Sequence, residues 1–308
     1  MPTANCFNDD NEYDFSAIVD GLNRYLRLKA TPIGMKRFRT VAEMEAVPKV
    51  RRPDPNEKLA MDQIVGQSRW IGYTLGITMD NLMGAQCGAV VGLHPRSEEW
   101  LSGDRMHGVW YGTLEDSAAH QSAMNCASYG DYEAIATSPL VSGRLDNPDI
   151  CLFYMTPGQM ITFINGLQFL NYKKYEFTCV GESACADSWG KALSSGEPSV
   201  SIPCYAERKF GGVQDDEMLV ALPPSFLPGV VEGLAQLSRN GLRYPIPNHG
   251  IQNRRWIVFR QVTGSGVNRR NTAGGHQHGW PGLTRQSTVT IQRCRSDAQG
   301  SEVQFAGG

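Results

Sequence analysis

Residues 149–170 constrain this chain more tightly than any other stretch. Asp149 is followed by the unbroken apolar run ICLFYM, then by Thr156, Pro157 and a long amphipathic segment that ends at Leu170. An apolar run of that length, bounded by turn residues, reads as a buried strand, and a proline at the first helical position reads as the start of a helix. A strand handed directly to a helix requires layers of both kinds of element around one core.

The same alternation extends along the chain. Asp14 to Leu28 places Phe15, Ile18, Val19, Leu22 and Leu26 on one face at helical spacing, and Pro32 leads into a strand that ends at Phe38 and carries Lys36. A Pro-rich connector at 49–57 precedes a helix over Lys58–Tyr73, and a glycine-rich stretch around Gly84, Gly88 and Gly92 contains Cys87. Further on come a helix over Ser117–Cys126 and a strand over Tyr132–Thr137. Strands follow at Tyr175–Val180, Val200–Cys204 and Met218–Leu222, with helices over Ser183–Leu193 and Pro224–Leu237. The expectation is a single layered domain over 14–251, α/β or mixed α+β, with the direction of strand pairing left open.

Charge divides the 308 residues after Ile251. Residues 1–251 hold 21 Lys and Arg against 29 Asp and Glu, a net of −8, whereas 252–308 hold 8 Arg, no Lys and 2 acids, a net of +6. An acidic body offers no broad surface to phosphate backbones, so nucleic acid is not an expected partner. The Gly- and Arg-rich tail 252–308 has no amphipathic period and reads either as a disordered extension or as a translated frameshift. No run of about 18 apolar residues occurs, so no membrane-spanning helix is expected. Acids occupy the start where a signal peptide needs a basic and apolar segment, which points to the cytoplasm. Eight widely spaced cysteines in a chain of this size read as reduced thiols.

Four patches carry a family resemblance: TPIGMK at 31–36, SACAD at 183–187, SIPCYAERKFGG at 201–212 with Asp215, Asp216 and Glu217 behind it, and GLRYPIP at 241–247. In order and spacing they resemble the uncharacterised bacterial and archaeal family called domain of unknown function 169. The resemblance covers most of 14–251 and implies a single α/β unit in soluble prokaryotic proteins. It implies no reaction, so the chemistry has to come from the residues.

If Ser183 caps a helix, Cys185 lies in its first turn, where the helix dipole favours a thiolate. Cys204 follows Pro203 at the end of a strand, a usual place for site residues in layered folds. With Cys87 these make three thiols able to hold an iron–sulfur cluster or a zinc ion, although no C-x-x-C pair is present. Three unrelated buried thiols are the bland alternative. Arg208 precedes Gly211 and Gly212, a combination suited to a small anion or to an exposed loop. Asp216 is a ligand-binding or cation-binding acid, or a partner of Arg208, and Lys36 is a second charge or a base. The scattered histidines carry no ligand spacing, and no G-x-S-x-G or G-x-G-x-x-G motif occurs.

These residues support an enzyme acting on a small anionic organic molecule through Cys185 and Cys204, as thiolate nucleophile or metal ligand. The alternative is a non-catalytic iron–sulfur or metal-binding protein.

Overall fold

The computed structural model of the chain describes residues 6–10 and 12–247; the tail 252–308 lies outside them. Its strands are β1 (Ile33–Phe38), β2 (Val50–Arg51), β3 (Thr74–Thr78), β4 (Ala134–Pro139), β5 (Ile150–Met155), β6 (Ser199–Ser201) and β7 (Met218–Leu222). They form one mixed sheet in the order β2-β3-β4-β1-β5-β7-β6. Every pairing is antiparallel except β2 with β3, which answers the question of direction that the sequence left open. Met35 sits at the centre, opposite Thr137 on one side and Ile150 on the other.

The helices are α1 (Phe15–Leu26), α2 (Val41–Glu45), α3 (Met61–Trp70), α4 (Ala85–Val90), α5 (Glu98–Leu101), α6 (Leu114–Ala123), α7 (Pro157–Leu170), α8 (Lys191–Ser195), α9 (Tyr205–Gly211) and α10 (Leu227–Arg239). Alternation along the strands divides the core into two faces. Ile33, Met35, Ile77, Ile135, Leu152, Tyr154 and Leu219 point to one face, where they meet Ile64 and Val65 of α3, Val90 of α4, and Cys185 and Trp189. Cys151, Phe153, Met155, Val220 and Leu222 point to the other, under α1, α7 and α10. Phe38 and Ala136 extend that second face beneath Met44 of α2. The result is an α/β protein with the sheet between two helical layers.

The joints of the second layer follow from capping chemistry. Asp14 accepts from the Ala17 amide at 3.0 Å and starts α1. Thr156 and Gln159 form a reciprocal box at the start of α7, with Pro157 behind Thr156. The Gln159 amide then donates to the carbonyls of Leu26 and Arg27 at 3.0 and 2.9 Å. One side chain thus starts α7 and closes the end of α1.

Two expected elements differ. Residues 175–180 form no strand, because the Asp187 carboxylate accepts from the Val180 amide at 2.8 Å and from the Thr178 hydroxyl at 3.3 Å, which holds the backbone away from a ladder. Residues 205–211 form α9 instead of continuing from a strand into a glycine loop. Glu207 accepts from the Cys204 amide at 3.0 Å to start this helix, and Gly212, with φ +66°, ends it.

The first layer depends on a close crossing of α3 and α9. A methyl group on Gly66 would stand 2.7 Å from the Gly211 carbonyl oxygen, and one on Gly211 would stand 3.0 Å from that of Asp62. Gly66→Ala should therefore cost about 1–3 kcal/mol of stability by overpacking. Gly229→Ala, where nothing lies within 4 Å of the added carbon, should be neutral or stabilising through helix propensity. Equilibrium urea unfolding of the two variants checks this, and equal effects of both would show that the crossing is not tight.

Candidate functional site

Where α3 crosses α9, acidic and thiol side chains gather in a place that solvent does not reach. Asp62 and Arg69 come from α3, Glu207 from α9, Tyr154 from β5 and Glu217 from the turn before β7, and all five are buried. Arg69 forms an ion pair with Glu217 in which both side chains are 1% exposed. Its guanidinium lies 4.3 Å from the ring centroids of both Trp70 and Tyr154. Glu217 is also fixed by the Gln214 amide at 2.9 Å.

Asp62 and Glu207 have no such cation. Burial pushes the Glu207 carboxyl up to about 8, and the neighbouring Asp62 adds to the rise. Burial likewise pushes Asp62 up to about 6. Asp62 Oδ1, Glu207 Oε1 and both Nε and Nη1 of Arg69 have no hydrogen-bond partner. Each such buried atom costs about 1–3 kcal/mol, a cost that a purely structural core avoids.

Three cysteines from three segments reach this place. Cys204, just ahead of α9, sits beside Glu207, whose carboxyl accepts from the Cys204 amide at 3.0 Å, and burial followed by the nearby Glu207 charge raises the Cys204 pKa. Cys185 is raised well above the usual thiol range, first by its hydrogen bond with Cys87 and then by burial. Cys87, on α4, is only partly buried, and Cys87, Cys185 and Cys204 are in no disulfide. The backbone around Cys185 is irregular. Ser183 has φ +75°, and Ala186–Gly190 form a π-helical turn that runs into α8. Non-glycine residues with positive φ and π turns both concentrate at functional sites.

The expected site residues separate into two groups. Cys87, Cys185 and Cys204 come together, but not as a thiolate set. The Ser183 hydroxyl accepts from the Gln86 amide instead of capping a helix, and the surroundings of Cys185 raise its pKa instead of lowering it. Among the described residues no group of three or more His, Cys, Asp or Glu side chains is placed to hold a metal ion.

The remaining candidates lie elsewhere. Lys36 is on the opposite face of β1 from Met35, where its ammonium donates to the Asp146 carbonyl at 2.5 Å, because strand alternation turns it away from the thiols. Arg208 is occupied by the carbonyls of Pro203 and Gln214 at 3.2 and 2.7 Å and approaches Asp215 at 3.5 Å. Asp216 pairs with Lys29 at 2.7 Å at the surface, not with Arg208. Gly211 and Gly212 are the crossing point and the cap of α9, not an anion-binding loop.

Sequence reasoning missed Asp62, Arg69, Tyr154 and Glu207. Asp62 and Arg69 were legible only as polar residues at i and i+7 on the face of α3 that also carries Gly66. His120 is another such residue. It is buried, with Nε2 2.6 Å from the Glu182 carbonyl oxygen and its ring 5.0 Å from that of Tyr111.

A sequence profile of the family described as uncharacterised ArCR, domain of unknown function 169, matches residues 21–233. An uncharacterised protein of Methanocaldococcus jannaschii is 24% identical over 131 residues, which cover 41% of this chain and 55% of that protein. The match thus spans about half the length of that relative. No solved structure matches. No helix among the described residues is long and apolar enough to cross a membrane.

The acid pair sets a pH dependence of stability. Unfolded, Glu207 loses its proton near its ordinary 4.5, whereas folded it keeps the proton to about 8. Unfolding therefore releases a proton in that window, and stability falls as pH rises through it, by up to about 1.4 kcal/mol per pH unit. Asp62 acts the same way between 3.8 and about 6. Glu207→Gln should flatten the fall between pH 6 and 8, where Asp62 no longer contributes. Urea midpoints at pH 5, 6, 7 and 8 check this, and parallel curves for the two proteins would refute it.

Proposed function

The chain belongs to the uncharacterised ArCR family, and from the site it carries we propose that it is an enzyme acting on a small organic anion, with Cys204 as nucleophile and Glu207 as its base. The observation that carries this reading is the thiol–carboxyl pair of Cys204 and Glu207. A nucleophile placed beside a base is the minimal unit of covalent catalysis; the Glu207 carboxyl is held against the Cys204 backbone by the amide bond at 3.0 Å, and a carboxyl at about 8 exchanges its proton near neutral pH.

The ligand class follows from the unsatisfied atoms. Two unpaired nitrogens of Arg69 offer a carboxylate a charged, two-pronged contact, and Asp62, two turns away on the same helix and protonated below about pH 6, offers a further donor. Cys185 and Cys87 form a second pair of neighbouring thiols, near enough to Cys204 for its charge to raise the Cys185 pKa. The chemistry supported is addition of the thiol across a polarised double bond of a small carboxylate: the S–H bond breaks and its proton passes to Glu207 in its ionised form, the S–C bond forms, and the π pair moves to the far atom of the double bond.

Haloacetates test this with a substrate-like anion. Iodoacetate carries the carboxylate, iodoacetamide does not, and exposed Cys179 in the same chain serves as reference. Relative to Cys179, Cys204 should show an iodoacetate-to-iodoacetamide rate ratio about tenfold higher, an amount of selectivity within the range of one charged hydrogen bond. Glu207→Gln should slow alkylation of Cys204 by both reagents. Peptide mass spectrometry reads each site. An equal ratio at Cys204 and Cys179 would remove the anion site, and alkylation of Cys204 unaffected by Glu207→Gln would remove the base. Bound iron or zinc in anaerobically purified protein, lost in Cys204→Ser, would instead favour the metal-binding alternative.

A further inference from the structure

On the other side of the sheet from the thiols, the ends of α1 and α10 enclose an open pocket of about 430 Å³. Arg24 and Arg27 line it from α1, Arg239 and Arg243 from the end of α10 and the turn beyond, Tyr25 and Tyr244 form walls, and Leu234 lies in the floor. Four guanidinium groups in one pocket are unexpected on a body whose first 251 residues carry a net charge of −8. None of the four forms an ion pair with a described carboxylate. Lys29, two residues beyond Arg27, does have a partner in Asp216, so acids are at hand in this region but do not neutralise the pocket.

Helix geometry accounts for part of this concentration. Arg24 and Arg239 lie in the last turns of α1 and α10, where a cation complements the helix dipole. Arg27 and Arg243 lie past those turns. Arg27 caps α1 in the left-handed conformation at φ 53°, a shape that Gln159 holds by its bond to the Arg27 carbonyl. Arg27 is therefore kept in place by a backbone contact that does not use its guanidinium, and of the four only Arg239 has a side-chain hydrogen-bond partner among the described residues, the neutral amide oxygen of Gln236 at 3.2 Å. Like charges brought together without counter-charges repel, and the arrangement is relieved by a ligand that carries more than one negative oxygen. The pocket volume is in the range of small-molecule sites, and its tyrosines and leucine supply apolar area for the organic part of a ligand.

We propose that this pocket binds a small organic phosphate, the phosphate held by the arginines and the organic part between Tyr25 and Tyr244. It is separate from the thiol cluster and does not depend on the reading given to that site.

Calorimetric titration of the full chain with AMP, glucose 6-phosphate, adenosine and inorganic pyrophosphate, at low and high salt, tests the proposal. At least one of the two organic phosphates should bind, more weakly at high salt, whereas adenosine should not. The double substitution Arg24→Gln with Arg243→Gln should weaken that binding at least tenfold. Arg105→Gln, which removes an equal kind of charge from a surface pair with Glu99, should leave it within twofold. Failure of both organic phosphates, or binding that the double substitution leaves unchanged, overturns the proposal. Pyrophosphate binding at least as tightly as the better organic phosphate would overturn the part assigned to the tyrosines.

Discussion

One cation for three carboxyl groups is the constraint on which the first helical layer depends. Arg69 is the one Lys or Arg among the buried described residues, and it is committed to Glu217. Breaking such a pair strands a buried charge at a cost of about 3–5 kcal/mol, so Arg69 cannot turn to another acid without loss. Asp62 and Glu207 are left to share a dry space with no ion-pair partner, the nearby Arg208 offsetting only a small part of the rise in Glu207. Two carboxylates there would repel, and proton retention is the remaining way to keep both inside. The raised acids, the raised thiol beside Glu207 and the unpaired atoms around them all follow from that arithmetic of charge.

Much of the fold was legible in the sequence because its signals are local. Asp149–Met155, Pro157–Leu170 and Met218–Leu222 have strand or helix patterns whose period and end residues agree, and the structure places the last two at those bounds and starts the first one residue later, at Ile150. The errors occurred where a distant side chain decides the backbone. Residues 175–180 look like a strand by composition, but Asp187 takes their hydrogen-bonding groups. Thr74–Thr78, buried throughout, is masked by the glycines around it, since Gly76 interrupts the run of strand formers.

The site was legible by residue type and much less by arrangement. Cysteine is rare, so the eye is drawn to Cys87, Cys185 and Cys204, and the fold does bring them together. Carboxylates and arginines are common at surfaces, and nothing in a single sequence separates buried Asp62 or Arg69 from their exposed counterparts. The same ambiguity made Arg208 and Asp216 attractive, although both have ordinary surface partners. Protonation state was the least legible property. A thiol at a predicted helix start reads as a thiolate until it is known that the start is irregular and that another thiol, not the helix dipole, faces it.

The two glycines at the crossing connect the fold to the chemistry. Asp62 and Gly66 are one turn apart on α3, as are Glu207 and Gly211 on α9, so the closest approach of the backbones brings the two acids to the same level. A glycine inside a helix costs roughly 1 kcal/mol relative to alanine. Unpaired buried polar atoms cost more, and here they stand beside residues that local rules would have made apolar. Local choices that lower stability and converge on one place are expected where a sequence serves a ligand as well as its own fold. The pairing of a close glycine crossing with unsatisfied acids, rather than the presence of cysteines, is what distinguishes this place from an ordinary thiol-lined core.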